Sequence, residues 1–172
     1  MLKIKTIATH KNGDIVVCHT QEEIDYYTAL EDYAISEQEM MLDLQHGWKK
    51  VKTLNELKQE KIKELDANCT QAILGRFSAT INNTEYEFSY DAEAQSRFNG
   101  IGLLFFANKI QDIEWTAYQN GERVRITLNQ TNFDSISLQA LQHQNTNIIK
   151  YNTLLQQVNE ATTKEQVEAI VW

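Results

Sequence analysis

The chain has 172 residues, 42% of them hydrophobic and 23% charged, with a formal net charge of −8. This composition supports a packed core and excludes wholesale disorder, and the negative balance argues against general affinity for nucleic-acid phosphates or anionic membranes. No apolar run approaches the roughly 18–20 residues of a membrane-spanning helix, and two cysteines, Cys18 and Cys69, are too few for a disulfide framework.

The first stretch, "MLKIKTIATH", alternates like a strand and has no signal-peptide core, so the chain is expected to be cytosolic when made. "KIKTIATH" and "IVVCH" form a predicted hairpin around the Asn12-Gly13 turn signal. Thr20 and Glu23 then make a capping box that opens a helix. Ile24, Tyr27, Leu30 and Ala34 give that helix its apolar face. From Glu22 to Asp43 there are eight acids and no lysine or arginine. Such a run is a solvated face or an acidic docking surface for a basic partner, with Glu22, Glu23 and Asp25 as its leading residues.

Around Gly47 the charge reverses in "HGWKKVK", which marks the expected joint between an N-terminal hairpin–helix module, 1–48, and a larger domain, 53–172. Thr53 with Glu56 repeats the capping box, and the helix it opens carries Leu57, Ile62, Leu65 and Cys69 before stopping near Gly75. A second hairpin follows, "RFSATI" and "EYEFSY", turned at Asn82-Asn83.

At Asp91 the strand alternation of Tyr86, Phe88 and Tyr90 gives way to helical spacing through Phe98, Ile101 and Phe105. Asp91 is therefore read as an N-cap, with Glu93 at the positive end of the helix dipole. A carboxylate held in its charged form by backbone donors is a poor general base. Gly100 and Gly102 are expected to permit close helix packing. "IEWTAY" and "RVRITL", joined at Asn120-Gly121, complete a small antiparallel sheet. A capping pair, Thr131 and Asp134, then starts a helix predicted to run to about Ala161.

Between Asn129 and Asn159 only Asp134 and Lys150 are charged. A long helix so poor in charge either packs on the sheet and on the helix from Thr53 or contacts another chain, a second copy of this one included, and Ile148, Ile149, Tyr151 and Leu155 are its candidate partner-binding residues. Thr163 with Gln166 caps a short final helix. The fold class is α+β, a small antiparallel sheet packed with long helices.

Chemistry-bearing constellations are sparse. His10, Cys18 and His19 share a hairpin, but neighbouring strand residues point to opposite faces and no second ligand pair at zinc spacing follows, so no metal or cofactor is expected. Trp48, Trp115 and Trp172 are read as core or interface anchors. An enzymatic alternative, a small hydrolase of cell-surface polymer, would need Asp91, Glu93 and Glu114 to converge.

From Glu56 to Trp172 the sequence resembles a small domain family of phages and prophages that includes the XkdW protein of the PBSX-type prophage and recurs near or within tail-fibre proteins. The residues that carry the likeness are the Lys/Glu-rich helix, the strand entering "SYDAEAQSRFNGIG", Trp115 with Thr116, Phe133, His143 and the ending "EATTKEQVEAIVW". Within them Asp91, Gln95, Phe98, Trp115 and Trp172 are expected to be structural. The resemblance implies a tail-associated protein without catalytic activity, either an assembly chaperone that binds a tail fibre or receptor-binding protein in the host cytoplasm, or a component retained in the virion tail or baseplate.

Overall fold

In the computed structural model, which describes residues 2–43 and 47–172, the strands form two separate four-stranded antiparallel sheets. Each sheet belongs to its own unit, Met1–Thr53 and Leu54–Trp172.

In the first unit, β1 (Leu2–His10) turns back on β2 (Ile15–Val17) and also pairs with β3 (Tyr33–Asp43), which in turn pairs with β4 (Gly47–Lys50). Gly13, at φ +95°, takes the left-handed position of the first turn. Helix α1 (Gln21–Thr28) opens on the expected Thr20–Glu23 capping box. It is much shorter than the apolar spacing through Ala34 predicts. Its C-cap is Ala29, whose N–H donates to the carbonyls of Asp25 and Tyr27. Residues from Tyr33 onward run as a strand, in register with β1 from His10↔Tyr33 to Leu2↔Met41. The long edge of β1 offers a full ladder of hydrogen bonds, which outweighs the helical preference of Ala34, Glu37, Gln38 and Glu39. Buried side chains here are Ile7, Ala8, Cys18 and Met40.

Gly47 does not break the chain between units either. It pairs with Asp43 at the start of β4, so the boundary falls between Thr53 and Leu54. The side chain of Trp48 lies outside the described residues.

The second unit is α+β. Helix α2 (Leu54–Ile73) leads into β5 (Phe77–Ile81) and β6 (Thr84–Phe88), and α3 (Ala92–Phe106) intervenes before β7 (Asp112–Gln119) and β8 (Glu122–Asn129). The sheet order is β5-β6-β7-β8. Both hairpin turns use left-handed residues, Asn82 and Asn83 at φ 50° and 64°, and Asn120 and Gly121 at 52° and 82°. That pattern matches the twist of the flanking strands. The two hairpins meet at one registered pair, Glu87↔Tyr118.

Helix α4 (Gln130–Glu160) follows β8 directly, and at about 1.5 Å per residue its 31 residues span about 46 Å. Its N-cap is Asn129, whose side-chain oxygen accepts from the Asn132 N–H at 2.9 Å, in place of the expected Thr131–Asp134 pair. Helix α5 (Lys164–Glu168) carries the Thr163–Gln166 capping box.

One face of the sheet and the helices enclose the main core, which contains Phe77, Phe88, Phe98, Phe105, Trp115, Leu128, Phe133 and Ile136. Phe98 sits centrally, with ring centroids 4.7 Å from Trp115 and 5.6 Å from Phe133. A second cluster joins Leu65 of α2 to Val158 of α4 and to Ile170, with Tyr151, Leu154 and Trp172 packed against it. A Cβ on Gly102 would touch the Phe133 ring at 3.6 Å, whereas Gly100 faces open space, so only Gly102 allows close helix packing.

Candidate functional site: the outer faces of α3 and α4

Helix α3 is built from a frame that buries Phe98 and Phe105, yet its last turns read Leu103-Leu104-Phe105-Phe106. A helix in contact with a sheet along one side can bury only part of such a run. Leu103 is 69% and Phe106 82% exposed. Leu103 forms one wall of a groove of about 590 Å³ between α3 and α4, with Leu141 and Ala140 opposite and Phe98 and Phe133 among its lining. The Ser137 hydroxyl, also in the lining, is buried and has no hydrogen-bond partner among the described residues. Leaving such a group unpaired costs about 1–3 kcal/mol. The groove is therefore mostly apolar, with Tyr90, Asn99, Asp134 and the unpaired Ser137 hydroxyl as its polar groups.

Beyond the groove and its Leu141, the outward face of α4 exposes Leu138, Ile148 and Ile149, the last at 65%. Among the residues expected to bind a partner, Ile148 and Ile149 thus face outward. Leu155 and Tyr151 are half-buried, and Tyr151 packs on the α2 cluster. Sequence spacing missed Leu103, Phe106, Leu138 and Leu141. The signal was present in the all-round apolar end of α3.

The acidic segment has no common helical face. Glu23 is occupied in the capping box, where its carboxylate accepts from the backbone N–H groups of His19, at 2.6 Å, and Thr20. These bonds, that to His19 foremost, hold its carboxyl below the usual range. Asp25 accepts from the Gln21 amide, and Asp32 pairs with Lys11 at 2.6 Å. Glu37 and Glu39 lie on β3 and so on a different element from Glu22.

Asp91 caps α3, its Oδ1 accepting from the Ala94 N–H at 2.9 Å, and the Gln95 amide donates to the Tyr90 carbonyl. Asp91 and Glu93 line a small polar notch with Arg97, Trp115 and Arg123. The Arg97 guanidinium lies 4.8 Å from the Trp115 ring centre. Glu114 is not part of this notch and instead accepts from the Thr127 hydroxyl across the hairpin. The three acids of the hydrolase reading do not converge. Trp172 packs against the α2–α4 cluster, and the Lys150 ammonium lies 4.5 Å from its ring centre.

Among the described residues no group of three or more His, Cys, Asp or Glu side chains is placed to hold a metal. Burial, reinforced by the Glu23 charge, raises the Cys18 thiol, and burial with the Asp66 charge does the same for Cys69. Both stay protonated and unreactive at neutral pH.

No curated protein and no solved structure matches the chain. Residues 56–171, more than half of the 172, match the family described as "Domain of unknown function (DUF4376)". The span begins inside α2 and takes in the sheet, the groove and all of α4, and on this match the chain belongs to the DUF4376 family.

Proposed function

We propose that the protein is a non-enzymatic accessory of a bacteriophage tail fibre or receptor-binding protein, acting as an assembly chaperone that binds the fibre in the host cytoplasm. The observation that carries the proposal is the groove between α3 and α4, with Leu103 and Phe106 exposed beside it. Apolar side chains gathered round a groove on a water-facing surface mark a site for another protein. An apolar fibre segment would fill the groove, and its backbone would offer the Ser137 hydroxyl an acceptor. The tail context comes from the resemblance carried by "SYDAEAQSRFNGIG" and the ending "EATTKEQVEAIVW".

Co-expression with candidate phage tail-fibre proteins, followed by affinity capture, tests the reading. A complex that Leu103→Asp disrupts supports it. If no tail protein is retained by the wild-type chain, the accessory role is wrong.

A further inference from the structure

Helix α4 has two faces. Phe133, Ile136, Ala140 and Val158 are buried on one side. On the other side Leu138, Leu141, Asn145, Ile148, Asn152 and Leu155 succeed one another at spacings of 3, 4, 3, 4 and 3 residues. That is an uninterrupted heptad seam, with Leu138, Asn145 and Asn152 at a and Leu141, Ile148 and Leu155 at d. All but the half-buried Leu155 are exposed. At 100° per residue the seam lies on the side of the helix away from Ile136 and Ala140, so packing within the unit leaves it uncovered.

We propose that this seam pairs with the α4 seam of a second copy of the chain, in parallel and in register about a two-fold axis along the helix. The occupant is argued from the two asparagines and from charge. In a parallel pairing each a residue faces its own equivalent, so Asn145 meets Asn145 and Asn152 meets Asn152, and each amide supplies both a donor and an acceptor to the other. Within one chain neither side chain makes a hydrogen bond among the described residues. An antiparallel pairing sets a against d and would bury each amide against leucine or isoleucine, and a wholly apolar helix from another protein would do the same. A basic partner would find no carboxylate on the seam. From residue 135 to 149 the helix carries no charge at all, so two copies of a chain with net charge −8 can meet there without opposing like charges.

Ile149, at the flanking e position, adds apolar area to the same contact. Polar a layers set register and copy number at a cost in stability, so the pairing is concentration-dependent. This assignment does not depend on the fibre reading, because the seam is read on the protein alone and shares only Leu141 with the α3–α4 groove.

Sedimentation equilibrium of the full chain over a dilution series tests it. The expected result is a reversible monomer–dimer equilibrium that Ile148→Asp returns to the monomer mass, with an unchanged far-UV spectrum and a melting temperature that no longer rises with protein concentration. An Asn145→Cys variant should form a disulfide-linked dimer on oxidation, whereas a Thr146→Cys control, off the seam, should not. A chain that stays monomeric at its highest soluble concentration overturns the proposal and leaves the seam to a different protein. A dimer that survives Ile148→Asp, or equal cross-linking in the two cysteine variants, overturns it as well.

Discussion

The Nε2 atom of His143, midway along α4, lies 3.0 Å from the carbonyl oxygen of Ala72 in the last turn of α2. The Gly75 N–H also donates to this carbonyl, at 3.3 Å, and the imidazole N–H adds a shorter second bond from the neighbouring helix. The same ring lies 5.9 Å from Phe77 and 6.2 Å from Tyr90, centre to centre, so one side chain ties α2, α4 and β5 together. His143→Ala should lower stability by about 0.5–3 kcal/mol through the lost hydrogen bond and the lost packing. His143→Gln, which can still donate, should recover part of it, and urea unfolding measures both.

Asp91 acts on one helix end only. Asp91→Ala should cost about 1 kcal/mol of stability by loss of the cap and leave fibre capture unchanged. Unchanged melting with lost capture would instead make the polar notch around Arg97 and Arg123 the binding site.

The capping box of α1 gives a pH dependence with a fixed sign. The Glu23 carboxyl is lowered in the folded chain by the His19 and Thr20 N–H groups. Its stabilising contribution is therefore fully present above the ordinary glutamate range and disappears as pH falls through the lowered folded value. The amide signals of His19 and Thr20 should shift together in that acid window. Glu23→Gln should abolish the shift.

A fragment that starts at Leu54 should fold cooperatively, because both hydrophobic clusters of the larger unit lie within Leu54–Trp172. A cut after residue 48 would leave part of β4 attached to the wrong piece. Thermal unfolding followed by circular dichroism checks the fragment. A featureless spectrum would show that the first unit is required for folding of the second.

For the fibre complex, Leu103→Asp should act mainly by faster dissociation, since it removes buried contact. The pair Glu22→Gln with Asp25→Asn should mainly slow association and reduce its salt dependence. Kinetic binding at two ionic strengths separates the effects. Glu23 is left out of this pair because its carboxylate is committed to the cap.

Elements announced by local chemistry were legible in the sequence. The Asn-Gly and Asn-Asn turns, the capping boxes at Thr20 and Thr163, and the Asp91 cap each depend on residues within a few positions of one another. What depended on distant pairing was not. Strand β3 is written in helix-forming residues and is a strand because β1 lies beside it. The groove was hidden for a related reason. A helix-spaced leucine looks alike whether it is covered or bare, and only packing shows that Leu65 is enclosed while Leu103 is not.

The covering of Leu65 also has a bearing on synthesis. Its enclosing partners, Val158 and Ile170, lie far downstream in the chain. While the ribosome is still making the sheet, α2 has only an open apolar side to offer, and the first unit is already complete. The larger unit therefore closes late, after α4 and α5 have emerged. In the interval the nascent chain presents the Leu65 face of α2 to whatever surface reaches it first.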